Sequence, residues 1–331
     1  MQAMTAAAFN RRRLFAHAAM AAGAGAATHF VPDAVKKCFA EENRRPFQFN
    51  YAICNETFGD RPFERVCEFS AGLGYQGVEI APFTIAELVT DIPTSRRTEM
   101  RKQAEKAGLQ IVGLHWLLAK TKGFHLTAAD AEIRRNTAKY LCELARFCAD
   151  LGGKVLVFGS PQQRNLEQGM SREEGMKHAA EVLQAAMPTL EKTGVTLAVE
   201  PLAPAETNFI TTAAEGAALI EAVDSPHCRL ILDCKAMSSE GKEDGEAAPF
   251  AWIPELIRKY RKWLVHFHAN DPNLLGPGFG RLDFVPIMRG LREIEYRGWV
   301  SVEVFDYSPG PERLARESIE YLRKCASKAE A

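Results

Sequence analysis

Four residues that can bind a metal ion each finish a short apolar run in the second half of the chain. They are Glu200, Asp233, His268 and Glu303. Helical patterns separate these runs, so the spacing is that of successive strand–helix units. In a closed parallel barrel all strands end at one rim, where the four side chains would converge. Three carboxylates brought together repel one another, and a divalent cation removes that repulsion. The sequence therefore predicts a metal site at a barrel rim.

This set of donors is rich in oxygen, which favours Mn²⁺ or Mg²⁺, with Co²⁺ as a substitute. When a sugar chelates such an ion, the C–H next to its carbonyl becomes more acidic and an enediolate can form. Glu200 and Glu303 are the candidate proton-transfer residues. We therefore expect a metal-dependent isomerase or epimerase of a carbohydrate. A keto-sugar lyase or hydratase, acting for example on a 3-keto-glycoside, needs the same intermediate and is the alternative.

Further side chains near the predicted strand ends are candidates for contacting the substrate. They are Glu79, His115, Glu206, Lys235 and His266. Each has a structural alternative, because carboxylates often cap loops, lysines are usually solvated, and histidines on apolar strands often lie in the core. Trp116, next to His115, could stack on the C–H face of a sugar.

Eight apolar runs alternate with helical patterns, which is the count of a (βα)8 TIM barrel. The first strand is predicted at residues 47–54 and the third at 110–118, and one of the later helices at 249–262. The chain has 331 residues and a hydrophobic fraction of 47%, enough for one large core. We expect a single α/β barrel domain over residues 41–331.

The charge balance and the N-terminus indicate where the protein acts. A formal net charge of -1 gives no reason to expect nucleic acid as a partner, and no apolar run is long enough for a stable membrane span. Three arginines at positions 11–13 precede an Ala/Gly-rich stretch that reaches Ala27. This pattern is typical of a twin-arginine export signal, so residues 1–40 are interpreted as signal and linker and the location as periplasmic. A small sugar is the expected partner, and a homo-oligomer remains open.

Several stretches of the second half carry a resemblance to a known family. They are VEPL…ETNF at 199–209, LILDCKAM at 230–237, HFHAND at 266–271, GPGFGRLDF at 276–284 and VEVF at 302–305. The chain resembles the xylose-isomerase-like TIM-barrel superfamily of sugar phosphate isomerases and epimerases, and especially the ketose 3-epimerases of the tagatose and psicose type. The resemblance implies that Glu200 and Glu303 are both ligands and the acid/base pair, that Mn²⁺ is the ion, and that Glu206 contacts the substrate.

Two positions depart from the pattern of the ketose 3-epimerases. Ala236 stands where they have a substrate-polarising histidine, and Leu274 where they have an arginine. Both of those groups help to hold the substrate carbonyl oxygen, so a modified, oxidised or glycosidic sugar is expected in place of a free ketose.

Two other classes of protein are alternatives to a sugar isomerase. A related apurinic endonuclease would need a trinuclear zinc cluster with more histidines, and a non-catalytic sugar-binding barrel would bind without turnover.

Overall fold

Eight parallel strands form a closed barrel in chain order, in which β8 pairs with β1. The computed structural model describes residues 47–241 and 250–330. The predicted export signal at residues 1–40 lies outside the described residues. The strands are β1 Asn50–Cys54, β2 Gly77–Ile80, β3 Gln110–Leu114, β4 Val155–Phe158, β5 Thr196–Val199, β6 Cys228–Asp233, β7 Leu264–Ala269 and β8 Trp299–Val302. The predicted TIM barrel is thus confirmed.

Helices follow the strands and cover the outside of the barrel. They are α1 Phe63–Leu73, α2 Thr94–Ala107, α3 Ala131–Asp150, α4 Arg172–Thr193, α5 Ala213–Val223, α6 Cys234–Ser238, α7 Ile253–Tyr260, α8 Phe284–Glu293 and α9 Pro311–Lys328. Capping residues set many of their ends. The Ser171 hydroxyl accepts a hydrogen bond from the Glu174 amide at the start of α4, and Gly194 ends this helix in the left-handed region at φ 64°.

The core has two parts because each strand is buried on both faces. Leu156 and Phe158 of β4 belong to the large apolar layer between barrel and helices, whereas Val155 and Val157 point into the barrel and pack on Ile231. The interior also contains a buried polar layer with Cys54, Glu79, His266 and Ser301. No helix among the described residues is long and apolar enough to span a membrane.

The structure corrects several predicted boundaries. β3 ends at Leu114 rather than Leu118, because the backbone turns at Trp116, which has a left-handed φ of 52°. β1 begins at Asn50 instead of residue 47. The helix predicted over 249–262 starts at Ile253, and α6 was not predicted at all. Five residues directly after a strand show too little periodicity to identify a helix.

Candidate metal centre

The four predicted ligands converge at the carboxyl-terminal ends of their strands. Glu200 directly follows β5, Asp233 ends β6, His268 is the penultimate residue of β7, and Glu303 directly follows β8. Each side chain offers a ligand atom within 4.8 Å of those of the other three, and all four are buried. The alternation of strand side chains and the common direction of the strands produce this convergence.

His268 contacts both candidate catalytic glutamates. Its Nδ1 lies 3.0 Å from Glu303 Oε2 and 3.4 Å from Glu200 Oε1. This nitrogen nevertheless makes no well-formed hydrogen bond to any described residue. On the other side of the ring, Nε2 lies 3.3 Å from Glu79 Oε2, a contact that orients a ligand imidazole. A buried, unpartnered nitrogen facing carboxylate oxygens fits a shared divalent cation, and the donor types suit Mn²⁺, Mg²⁺ or Co²⁺.

Asp233 accepts hydrogen bonds at both of its carboxylate oxygens. Its Oδ1 accepts a hydrogen bond from the Ala236 amide at 2.7 Å, which caps the start of α6, and its Oδ2 accepts one from Asn270 Nδ2 at 2.5 Å. Burial raises the pKa of Asp233 to about 7; the Lys235 charge opposes this shift and the neighbouring carboxylates add to it. The buried carboxylates repel one another, and a bound cation would relieve this repulsion.

Glu303 is held by two adjacent side chains of the segment that follows β3. Its Oε1 accepts a hydrogen bond from Trp116 Nε1 at 3.0 Å and lies 3.1 Å from His115 Nδ1. The far nitrogen of His115 is 2.9 Å from Glu56 Oε2. Burial opposes ionisation of Glu303, but His268 and His115 hold its pKa below the usual range. Burial likewise opposes a charged His115, yet Glu56 and Glu303 raise its pKa to about 10.

These contacts place His115 behind Glu303 rather than at the open mouth. Its side chain is wholly buried, and both ring nitrogens face carboxylates. The predicted contact between His115 and a substrate stays a prediction; in this structure both ring nitrogens contact protein carboxylates. The ring thus orients Glu303.

The four candidate ligands Glu200, Asp233, His268 and Glu303 form a cluster, and Glu79 and His266 form a layer beneath it. His266 precedes His268 by two strand positions, so it points to the same interior one step deeper. His266 Nε2 lies 2.9 Å from Glu79 Oε2, and both side chains are fully buried. Burial opposes the charged form of Glu79, but His266 and His268 hold its pKa well below the usual range. Glu79 contacts both His266 and His268, so this pair is placed to orient His268, and the predicted contact of Glu79 and His266 with a substrate stays a prediction.

Glu206 and Lys235 do lie at the mouth. Lys235 Nζ donates to Glu206 Oε1 at 2.6 Å and sits 4.0 Å from the ring centre of Phe305. Burial lowers the pKa of Lys235, but the charges of Asp233 and Glu206 outweigh this effect and raise it. The Phe305 ring in turn stacks on Trp116 at 6.1 Å and 28°. A row of side chains thus crosses the mouth above the cluster.

Arg164 is a buried residue of the site that sequence reasoning missed. Its guanidinium donates to the main-chain carbonyls of Glu200, at 2.5 Å, and of Phe158. Burial lowers its pKa to about 10, although Glu200 and Glu206 act in the opposite direction. An arginine in a polar loop is usually solvated, so nothing in the sequence singled it out. Asn270 was also missed, although its place two residues after His268 was a usable signal.

A cavity of 620 Å³ opens beside the cluster on the side of Glu303. Its wall includes Glu56 and Trp116, which contact His115 and Glu303, and continues over Phe83, Phe305 and Tyr307. No sequence pattern predicts this space, because its wall is formed by loops after four different strands.

Comparisons with known proteins identify the family of this chain. The family described as Xylose isomerase-like TIM barrel matches residues 67–325. A probable ketose 3-epimerase from Synechocystis sp. is 24% identical over 276 residues, which cover 76% of this chain and 86% of that protein. A 3-dehydro-D-guloside 4-epimerase from Escherichia coli K12 is 26% identical over 200 residues, covering 59% of this chain and 73% of that protein.

Solved structures show the same fold. D-psicose 3-epimerase from Clostridium cellulolyticum H10 superposes with a TM-score of 0.72 at 21% identity, covering 84% of this chain and 99% of that one. A 3-keto-D-glucoside 4-epimerase from E. coli gives a TM-score of 0.71 at 22% identity, covering 84% of this chain and 100% of that one. The match over residues 67–325 and the sugar epimerases among its relatives establish that the chain belongs to the xylose isomerase-like TIM barrel family.

Proposed function

We propose that the protein is a divalent-metal-dependent epimerase of a keto-sugar. The observation that carries this proposal is the approach of Glu200 and Glu303, from different strands, to the same unpartnered nitrogen of His268 at 3.4 and 3.0 Å. Together with Asp233 these residues would hold the ion. When bound, it draws electron density from a chelated carbonyl and stabilises negative charge on the oxygen. The ketose and keto-glycoside epimerases among the relatives support a keto-sugar substrate.

The chain's own residues supply the proton transfers. One glutamate of the pair takes the proton from the carbon next to the carbonyl; the C–H electron pair forms a C=C bond while the carbonyl π pair moves onto oxygen. The other glutamate, protonated beforehand, returns a proton to that carbon on the opposite face. The substrate loses one proton and gains one, so its stereochemistry inverts without net oxidation. Trp116 and His115 keep Glu303 in place during both steps.

Two features favour an oxidised or glycosidic sugar over a free ketose. Ala236 is buried, its amide donates to the capping carboxylate of Asp233, and its methyl side chain offers no polar group. Leu274 is 44% exposed and offers no polar group to a carbonyl oxygen. The holding groups of ketose 3-epimerases are therefore replaced by apolar side chains, and Lys235 with Glu206 supplies the polar contacts at the mouth. We further propose that the protein acts in the periplasm after twin-arginine export.

The test is solvent exchange in D₂O with manganese-loaded protein. NMR of oxidised and glycosidic sugars should show deuterium entering at the carbon next to the carbonyl, and Glu303→Gln should abolish this exchange while circular dichroism stays unchanged. Glu293→Gln, at an exposed ion pair with Arg258 on the barrel exterior, is the matched control and should exchange normally. Exchange that persists in Glu303→Gln would contradict its role, and an unsaturated product would favour the keto-sugar lyase.

A further inference from the structure

The cavity beside the cluster has a wall with the composition of a carbohydrate subsite. Four aromatic side chains line it: Phe83, Trp116, Phe305 and Tyr307. Phe83 and Phe305 flank Trp116 at ring distances of 5.8 and 6.1 Å, and Tyr307 is 42% exposed. The volume of 620 Å³ lies within the range of about 300–1,000 Å³ that encloses drug-sized ligands. None of the four candidate metal ligands lines this space, so it lies beside the place where the reacting carbon would sit.

The cavity is continuous with the catalytic side of the cluster. Trp116 lines the cavity and also donates to Glu303, and Glu56 lines it while its carboxylate faces His115. A sugar carbon that reaches Glu303 therefore has the aromatic wall next to it. Beside this wall the Lys235 side chain is largely buried, with its Nζ 4.0 Å from the ring centre of Phe305. The cavity itself offers room for a substituent on the reacting sugar.

The charged groups of the cavity decide between a neutral and an anionic occupant. Arg61 and Lys120 line the rim, but Asp60 and Glu56 line it too. Arg61 is already paired with Glu312, and Lys120 Nζ lies 4.1 Å from the ring centre of Phe83. A phosphate or carboxylate would be repelled by the two acidic side chains, and both basic side chains already contact other groups of the protein. Sugar hydroxyls, in contrast, can donate to the acids and accept from the cations while the C–H face of the ring packs on the aromatic wall.

We propose that this cavity is a subsite for a second, uncharged sugar ring joined to the reacting sugar by a glycosidic bond. The proposal rests on the proposed function and narrows its substrate to keto-disaccharides or longer glycosides. Phe83, Trp116 and Tyr307 would stack on the second ring, and Asp60 and Lys120 would hydrogen-bond its hydroxyls. A free monosaccharide would leave the aromatic wall in contact with water, at a cost in affinity.

The kinetic test compares α- and β-linked 3-keto-disaccharides with the methyl 3-keto-glycosides of the same configuration. Wild-type protein should prefer one of the disaccharides by about tenfold or more in kcat/KM, the value of one aromatic stacking contact. Phe83→Ala and Tyr307→Ala should each lower kcat/KM for that disaccharide about tenfold more than for the methyl glycoside. Lys120→Ala should have a smaller effect of the same kind. The matched control is Lys262→Ala, because Lys262 also lies over an aromatic ring, that of Trp263, directly before β7 and outside the cavity wall.

A binding measurement separates this proposal from the proposed function. Isothermal titration of manganese-loaded protein with maltose and cellobiose, against the methyl glucosides, does not require turnover. Tighter binding of a disaccharide that is lost in Tyr307→Ala supports the subsite even if no exchange is detected on any sugar. Equal binding of both classes, or equal kinetic losses in the variants, overturns the subsite even if methyl glycosides are epimerised. Tyr307 is the safer variant, since its exposed ring contributes little to the core.

Discussion

At the residue scale, Trp116 links the aromatic wall to the chemistry. Its ring faces the cavity while its indole N–H donates to Glu303 Oε1. The left-handed backbone at this position, with φ 52°, costs energy in a non-glycine residue and is maintained by the contacts of the ring. A side chain held in this way positions the glutamate without touching the reacting atoms.

We expect Trp116→Phe to lower kcat more than it raises KM. Loss of one hydrogen bond to a charged group is worth about 1.5–3 kcal/mol, a factor of roughly 10–150 in rate. Steady-state kinetics on the best exchanged sugar measures the split. Trp252→Phe is the matched control, since its indole donates to the Met237 carbonyl at 2.7 Å; it should lower stability and leave kcat unchanged. Equal kcat losses in both variants would contradict the positioning role.

Arg164 is the buried cation that secures the ends of two neighbouring strands. It bridges the carbonyls of Phe158, at the end of β4, and of the ligand Glu200, directly after β5. We expect Arg164→Met to lower the free energy of unfolding by about 2–5 kcal/mol, because two buried carbonyls lose a hydrogen bond from a charged donor. Urea denaturation measures this change.

A second arginine provides the comparison for Arg164. Arg97 donates to the carbonyls of Val89 and Ile92, away from the metal centre. Arg97→Met should also destabilise the fold, but it should leave manganese affinity as in the wild type. Arg164→Met should weaken that affinity as well, because Glu200 loses its backbone anchor. Equal manganese affinity in the two variants would show that Arg164 acts on stability alone.

At the element scale, the start of α5 has a pH-dependent anchor. Both carboxylate oxygens of Glu240 lie 3.0 Å from the Ala213 amide. Burial raises the pKa of Glu240 to about 7, and the Glu215 charge adds to this effect whereas the amide hydrogen bond opposes it. The folded state therefore holds a proton that the unfolded chain releases at lower pH. Stability from this group is present at acidic pH and is lost as pH rises through about 7.

We expect Glu240→Gln to flatten this part of the pH dependence, so that the variant gains stability relative to wild type between pH 5 and pH 8. Chemical denaturation at the two pH values measures the difference. Glu293→Gln is the opposite control, because a hydrogen bond from Arg258 lowers the pKa of Glu293. Loss of that group should not stabilise the protein at high pH. The same gain in both variants would refute the explanation.

Another element, the five-residue α6, is stabilised by residues of the metal centre. Asp233 caps its first turn, and Asn270 accepts from the Lys235 amide while donating to Asp233. Helices this short are unstable alone, so the metal ligand and the helix support each other. The arrangement turns Lys235 toward Glu206 at the mouth.

At the scale of the whole molecule, the metal centre joins the last four strands of the barrel. We expect Mn²⁺ at about 100 times its dissociation constant to add roughly 2.7 kcal/mol to stability. Thermal unfolding with Mn²⁺ and with EDTA measures this gain. Asp233→Asn should lose most of it, whereas Asp271→Asn, a buried aspartate that binds the Leu282 amide at 3.0 Å, should keep it. An equal response to Mn²⁺ in both variants would place the ion elsewhere.

Much of the barrel and the ligand set could be predicted because both depend on local periodicity. An apolar run of four to six residues that ends in a carboxylate or imidazole identifies a strand and the rim residue it presents. That logic located Glu200, Asp233, His268 and Glu303 without any knowledge of neighbours. The same reasoning also groups Glu79 and His266 with the rim residues. The end of a strand is predicted from sequence only to within about two to four residues, which is at least one layer of side chains in the barrel.

The sequence by itself therefore determined the fold class, the family and the four convergent donors. Only the tertiary structure decided which of the other polar residues face the mouth, because depth along a barrel depends on the register between strands. It placed Glu206 and Lys235 at the mouth, His115 behind Glu303, and the loop residue Arg164 beneath Glu200. The aromatic cavity belongs to the same class of feature, since its wall comes from loops far apart in the chain. No local sequence pattern predicts that these distant loops lie next to one another.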